Sequence, residues 1–326
     1  MDFRSIYSVV EDDFNAVNDF INHHLDSDVP LIREVGRYIV DGGGKRLRPL
    51  VAILCARAGG YDGRLHINVA AIIEFLHTAT LLHDDVVDES DLRRGRRTVN
   101  AVWGNAASVL VGDFLISRAF QLVVDVGDRH LMDILSGSTN VISEGEVLQL
   151  INCRDPETTE ESYMRVIHHK TAKMFESAAQ TGAVLGIDDP DETRQRKASY
   201  GEYGRHLGIA FQLIDDVLDY HGDASELGKN LGDDLAEGKP TLPLIHTLRH
   251  GTAEQAELIR SAIRHGGLDH LDEIVATVQA SGGLEYTRER ARYHTDCALD
   301  ALAPTPDNRY KEALTRLARE SLARTW

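Results

Sequence analysis

One short acidic pattern occurs twice in this chain and constrains it more than any other feature. Leu81-Leu-His-Asp-Asp-Val-Val-Asp88 and Gln212-Leu-Ile-Asp-Asp-Val-Leu-Asp219 repeat Asp-Asp-apolar-apolar-Asp behind an apolar lead, 131 positions apart. On a helix of 3.6 residues per turn the aspartates at i and i+4 share one face, so Asp84 pairs with Asp88 and Asp215 with Asp219. Two carboxylates about 5–6 Å apart repel by about 3 kcal/mol at an effective dielectric near 20. The apolar flanks limit relief by water, so each pair needs a cation. Hard oxygen donors without Cys or paired His favour Mg²⁺, which takes one or two carboxylates and completes its shell with water and phosphate oxygens. A single such run reads as a solvated helix face; two copies in apolar flanks do not. The His83-Asp84 dipeptide admits another reading, a metal-dependent phosphohydrolase, which needs further His ligands suitably placed.

Around these segments apolar residues recur at i, i+3 and i+4, as in Ile72, Ile73, Leu76, Ala79 and Thr80, or Met164, Ile167, Thr171, Met174 and Phe175. Clean period-two alternation is scarce, so the chain reads as all-α. Breaks between helices fall at Asp41–Gly44, Gly59-Gly60, Asp155-Pro156, Asp188–Pro190, Gly238–Pro240 and Gly282-Gly283. Thr158 with Glu161 predicts a capping box opening a helix that continues through Lys170 and Phe175. No Pro/Ser-rich linker or charge block divides the chain, and residues 1–326 read as one domain.

Composition narrows the partners. The 35 Lys+Arg against 52 Asp+Glu leave a net charge of −17, which argues against nucleic-acid binding, since that needs a basic footprint. A phosphate ligand therefore requires clustered cations, a divalent metal or both. The three cysteines, Cys55, Cys153 and Cys297, form no CxxC pair; a reducing cytoplasm fits them best. The N-terminal stretch carries acids where an export signal needs basic residues. The longest apolar run, Val69 to Leu82, is interrupted by Glu74 and His77 and is too short to span a bilayer. It reads as a buried core helix, and no integral membrane segment is expected.

Cations gather in three places. Gly42-Gly-Gly-Lys45-Arg46-Leu47-Arg48-Pro49 combines exposed backbone N–H groups with positive charge, which suits a diphosphate. It is not a Walker A loop, because Lys45 lacks a following Ser or Thr. Arg93, Arg94, Arg96 and Arg97 directly follow the first acidic motif, and Gly228–Pro240 holds Lys229 and Lys239, with Asp233 and Asp234 able to join a metal shell. Taken singly, each also fits a plain basic turn, a salt-bridged patch or a polar loop.

Together these features resemble the trans-isoprenyl diphosphate synthases from about residue 10 to residue 320, through GGGKRLRP, HTATLLHDDVVDESDLRRG, GNAASVLVGDFL, EGEVLQL, HHKTAKMFE, FQLIDDVLDY and GKNLGDDLAEGKPTLPL, in that order. The likeness implies a bundle of long helices around a deep central apolar cavity, a homodimer, and two Asp-rich helix ends facing each other at the cavity mouth. It implies that Lys45, Arg48, His77 and Arg94 grip isopentenyl diphosphate and that Arg93, Lys170, Lys229 and Lys239 bind the allylic prenyl diphosphate. Asp84, Asp88 and Asp215 become the direct Mg²⁺ ligands, with Asp85 and Asp219 in support. Thr171 and Gln212 fall beside the reacting allylic carbons, so Lys170, Thr171, Gln212 and Arg93 form the catalytic set. The implied reaction ionises the allylic C–O bond, lets the isopentenyl double bond attack the cation, and loses a proton.

Product length is read from bulk before the first aspartates, where short-chain members often carry an aromatic residue. Ala79 and Thr80 are small, which argues for a chain beyond fifteen or twenty carbons; Phe75, Leu122, Val123 and Leu135 are candidates for the cavity wall or floor. Likeness to the long-chain bacterial members that supply the ubiquinone side chain implies eight isoprene units. The alternatives are a synthase of another chain length, a terpene cyclase, which would not need the Lys45/Arg48 grip, and a non-catalytic subunit of a heteromeric synthase. Such a subunit would be expected to lose Asp motifs or cations, and this chain keeps both. Membrane contact is expected to be transient at most, for product release.

Overall fold

The computed structural model describes residues 3–93, 95–221, 232–266 and 270–324. Helices α1 (Phe3–Ser8), α2 (Glu11–His24), α3 (Pro30–Asp41) and α4 (Leu47–Ala58) lead into α5 (Leu65–Val87). Between α3 and α4 the backbone turns through Gly43 (φ +63°) and Gly44 (φ +139°), conformations a side chain would strain. α5 is apolar nearly all round, and Val69 to Ile73 are fully buried; such a helix needs neighbours on every side. It is longer than the apolar run read from the sequence. By length and composition it could cross a membrane, but 61% of its most apolar window is buried inside the protein, which makes it a core helix.

After α5 comes a hairpin the periodicity did not predict. β1 (Leu92–Arg93) and β2 (Arg96–Arg97) pair antiparallel around Gly95 at φ +72°. Strands of two residues are too short to show alternation. α6 (Val99–Trp103) and α7 (Asn105–Val126) follow, separated by Gly104 at φ +87°. α7 also passes the length and composition test for a membrane span, with only 39% of its window buried. α8 (Arg129–Asn152) opens on Asp128, whose carboxylate accepts from the N–H of His130 and Leu131.

The next helix corrects two expectations. α9 (Glu160–Ile167) is capped by Thr159, whose hydroxyl accepts from Ser162 N–H at 3.1 Å, while Thr158 is buried. Nor does the helix run unbroken to Phe175. Residues His168–Ala172 form a π-turn before α10 (Lys173–Ala183), with Lys173 N–H donating to the His168 carbonyl five residues back. The long α11 (Pro190–His221) carries the second acidic motif, followed by α12 (Asp233–Ala236), α13 (Leu242–His250), α14 (Ala253–His265), α15 (Leu271–Ala280), α16 (Gly283–Ala301) and α17 (Arg309–Ala323). α11 packs along α10 and α16, α5 along α7, and α10 also against α4. The largest apolar cluster joins α4, α5, α7 and α10, and a second, with Tyr163, Leu213, Ile214 and Leu242, lies around the second motif.

Candidate active site

Both acidic motifs reach one cavity of about 820 Å³. α5 brings Asp84, Asp88, His77 and Thr80 to its wall, α11 brings Gln212, Asp215 and Asp216, and the entry to α4 brings Lys45 and Arg48. Arg93 from β1, Lys170 and Thr171 from the π-turn, and Lys239 beyond α12 complete the lining set expected from sequence. Arg94 and Lys229 lie outside the described residues. Asp85 and Asp219 do not line this cavity; Asp85 borders a neighbouring one of about 110 Å³ and is buried there.

The inward-facing carboxylates are met by cations. Lys170 Nζ lies 3.2 Å from Asp84 and 2.6 Å from Glu146. Lys239 Nζ lies 2.9 Å from Asp88 and also pairs with Glu237. Arg324, just past α17, sits 3.2 Å from Asp215, donates to the Phe211 carbonyl at 2.6 Å and covers the Phe211 ring at 3.7 Å. Burial works against protonating Lys170 and Lys239, yet their carboxylate neighbours outweigh it and hold both above the usual lysine range. Burial pushes the Glu146 carboxyl up to about 7, with Asp84 adding to the push and Lys170 opposing it.

The middle aspartates are wired otherwise. Arg93 reaches Asp85 Oδ1 through Nε and Nη2, each at 2.7 Å, so Asp85 anchors an arginine rather than facing the cavity. Asp216 accepts from Tyr163 Oη and, at 2.9 Å, from Gln212 Nε2. Burial and the Asp234 carboxylate push it up to about 8. Gln212 Oε1 accepts from Thr171 Oγ1 at 3.0 Å. The amide is thereby held with its nitrogen on Asp216 and its oxygen toward Thr171. Across the cavity, Arg48 donates to His77 Nε2 at 3.0 Å and lies over the Phe175 ring at 4.5 Å.

Sequence reasoning missed Glu146, Tyr163, Asp216 and Arg324 as members of this site. Glu146 stands in EGEVLQL and Asp216 inside the second motif, so both were in view without a role. Tyr163 read as an ordinary amphipathic position, and nothing local marks Arg324. For product length, Thr80 lines the large cavity with its hydroxyl bonded back to the His77 carbonyl at 2.7 Å. Ala79 is buried off it and Phe75 borders the smaller cavity. Neither cavity reaches Leu122, Val123 or Leu135, which are packed in the core.

Among the described residues the lining carries as many carboxylates (Glu74, Asp84, Asp88, Glu146, Asp215, Asp216, Asp234) as cationic side chains (Lys45, Arg46, Arg48, Arg93, Lys170, Lys239, Arg324). With burial holding Asp216 and part of Glu146 protonated, these cations exceed the charged carboxylates by no more than two, less than the charge on two diphosphates, so such a pair of anions calls for imported positive charge. Among the described residues no three His, Cys, Asp or Glu side chains converge to hold an ion by themselves. The oxygen donors of Asp84, Asp88 and Asp215 on the lining fit a hard divalent cation taken by one or two carboxylates, with phosphate oxygens completing its shell.

Comparison with known proteins agrees. Residues 29–278 match the Polyprenyl synthetase family. The chain is 54% identical to octaprenyl diphosphate synthase of Escherichia coli (strain K12) over 325 residues, 99% of each chain. It is 49% identical to the all-trans-nonaprenyl-diphosphate synthase (geranyl-diphosphate specific) of Rhodobacter capsulatus, again over 99% of each. Its fold is similar to a polyprenyl synthase from Caulobacter crescentus CB15 solved with calcium and isoprenyl diphosphate, with a TM-score of 0.94 at 41% identity, covering 98% of this chain and 97% of that one. On the family match over residues 29–278 and the full-length likeness, this chain belongs to the polyprenyl synthetase family.

Proposed function

We propose that the chain is a long-chain trans-polyprenyl diphosphate synthase making the octaprenyl product, by elongating an allylic diphosphate such as farnesyl diphosphate with isopentenyl diphosphate. One observation carries the reading: two carboxylate sets and two cation sets meet on a single cavity, as a reaction between two diphosphates requires. Full-length identity of 54% to an octaprenyl synthase supports the eight-unit length. A synthase of another length is the nearest alternative, in view of the 49% identity to a nonaprenyl enzyme.

In this reading Lys45, Arg48 and His77, with Arg94, hold the diphosphate of isopentenyl diphosphate. Arg93, Lys170 and Lys239, with Lys229, hold that of the allylic substrate. Asp84, Asp88 and Asp215 are the residues that would hold Mg²⁺, with Asp219 and Asp85 in support, and the bound ion would supply positive charge against the departing diphosphate. Lys170 and Lys239, kept protonated by their acidic neighbours, donate to the leaving oxygens. As the allylic C–O bond ionises, the Thr171 hydroxyl and Gln212 carbonyl stabilise the carbocation by their dipoles without capturing it. The isopentenyl double bond attacks, a proton leaves to the departing pyrophosphate, and the chain is five carbons longer. Leu47, Leu81, Val166, Ile167 and Phe211 are among the apolar lining residues that exclude water from the cation.

Residues 1–326 act as one domain of a cytoplasmic homodimer supplying the ubiquinone side chain. Support for the dimer comes from α7 and α8, where Leu110, Val124, Met132, Val147, Leu150 and Ile151 are exposed and a second copy would cover them. Membrane contact is then limited to release of the apolar product. The test is incubation with farnesyl diphosphate, labelled isopentenyl diphosphate and Mg²⁺, with and without chelator, followed by chain-length analysis. Eight units, lost with chelator, are expected; another discrete length rejects the octaprenyl product, and no Mg²⁺-dependent elongation by folded protein rejects the enzyme.

A further inference from the structure

The π-turn at His168–Ala172 is gripped from two sides by main chain. A Cβ on Gly145 of α8 would lie 2.8 Å from His169 Cβ and from Lys170 N, and one on Gly208 of α11 would lie 2.6 Å from Ala172 Cα. Those atoms are backbone or the first side-chain carbon, so they cannot swing aside as a flexible side-chain end would. A π-turn gives up regular helical bonding and recurs at functional sites. Each glycine is also followed on its own helix by the polar partner of a cavity side chain. Glu146, next to Gly145, holds Lys170 Nζ at 2.6 Å, and Gln212, one turn beyond Gly208, accepts from Thr171 Oγ1 at 3.0 Å.

We propose that Gly145 and Gly208 are positioning residues, a two-sided clamp that seats the π-turn so that Lys170 and Thr171 reach the reacting groups; this rests on the function proposed above. A methyl group at 145 drives the turn from α8 and parts Lys170 from Glu146. One at 208 drives it from α11 and parts Thr171 from Gln212. Gly182 provides the reference, because its Cβ would lie 2.2 Å from the Ala52 carbonyl oxygen, a still closer backbone approach, between α10 and α4. Neither Gly182 nor Ala52 borders either cavity.

Steady-state kinetics and thermal midpoints of wild type, Gly145→Ala, Gly208→Ala and Gly182→Ala test the clamp. All three substitutions are expected to lower Tm. Gly145→Ala and Gly208→Ala also lower kcat by about 10²-fold, the scale of a displacement near 1 Å in reacting groups, with KM for isopentenyl diphosphate unchanged. Gly182→Ala keeps the wild-type kcat per folded enzyme. If the first two lose activity only in proportion to their unfolded fraction, the glycines are packing and the proposal falls. Should one of the two fail to fold, the other decides alone: a loss of kcat beyond its unfolded fraction supports the clamp, and a loss only in proportion to it overturns the proposal. Amide exchange at residues 168–172, expected to be faster in the Gly145 and Gly208 variants than in Gly182→Ala, needs no substrate. An inactive wild type would thus reject the function while exchange still decides the clamp.

Discussion

The same acidic pattern ends α5 and α11, yet the two copies meet their surroundings differently. In the first, Asp84 and Asp88 line the cavity and each meets a lysine, while Asp85 turns away to hold Arg93. In the second, Asp215 and Asp216 line the cavity and Asp219 does not. Helix geometry puts i and i+4 on one face in both copies, but packing decides which face looks inward. α5 lies against α7 and α4, whereas α11 is sandwiched between α10 and α16. The middle aspartate consequently finds an arginine in one copy and the neutral donors of Tyr163 and Gln212 in the other. Spacing along the chain sets which carboxylates can pair; neighbours far off in sequence set which of them does chemistry.

That asymmetry breaks down if the third aspartates behave alike. Asp88→Asn is expected to lower kcat/KM by about 10³-fold, the scale of losing stabilisation of the departing charge by the ion Asp88 would hold. Asp219→Asn, off the cavity, is expected to lose under about tenfold, less than one good hydrogen-bonded contact of about 1.4 kcal/mol. Equal losses in steady-state kinetics would make the two motifs functionally symmetric. The middle pair sharpens the contrast. Asp85→Asn strips Arg93 of its carboxylate; breaking a fully buried pair costs about 3–5 kcal/mol. With the Arg93 side chain 30% exposed, about 1–3 kcal/mol is expected here, read as a lower urea midpoint with a raised KM for the allylic substrate. Asp216→Asn keeps one oxygen for Gln212 Nε2 but turns an NH2 toward Tyr163, which must then accept instead of donate, so the Gln212 anchor is weakened. Its kcat falls by about tenfold while stability changes by about 1 kcal/mol. Wild-type stability in Asp85→Asn, or wild-type kcat in Asp216→Asn, would overturn the assigned wiring.

The parts of this site visible in the sequence were those whose meaning lies within one turn of helix. Asp84 with Asp88, the GGGKRLRP turn and the Arg run are local patterns, and the structure gathers their described members around the cavities. Glu146 matters only through Lys170 on another helix, and Arg324 through Asp215, 109 residues away. Tyr163, Val166, Ile167, Lys170 and Thr171 keep ordinary α-helical spacing, so the π-turn leaves no trace in the pattern and shows itself only against Gly145 and Gly208. The cap slipped by one residue for a similar reason. Thr158 and Thr159 both offer a hydroxyl, and Glu161 favours Thr158 on paper, but burial of Thr158 leaves Thr159 at the helix mouth. The all-α reading held because a helix such as α5 announces itself by composition over many turns.

The two motif-bearing helices also differ in how acid loosens them. α11 is fastened to α16 by His206 and His294, whose Nδ1 atoms lie 2.8 Å apart, so one ring must donate and the other accept. Burial holds His294 down at about 3, and His206, Arg290 and Arg205 add their positive charge to the effect. Glu202 and His168 face the same seam through His206, which burial also lowers. α5 has its own buried histidine, His66, but Asp13 stands 3.0 Å away and opposes the downward shift. A histidine whose folded pKa lies below its unfolded value near 6.5 leaves the unfolded chain binding more protons. Its stability is therefore complete above about pH 6.5 and is lost as pH falls, by up to about 1.4 kcal/mol per unit. Urea midpoints between pH 7 and pH 4.5 are expected to fall in wild type, and to fall less steeply in His294→Gln than in His66→Gln. Amide exchange near pH 5 is expected to quicken in α11 before α5. If the two variants flatten the slope equally, the helices answer acid alike, and the difference between the motifs is confined to the cavity wall.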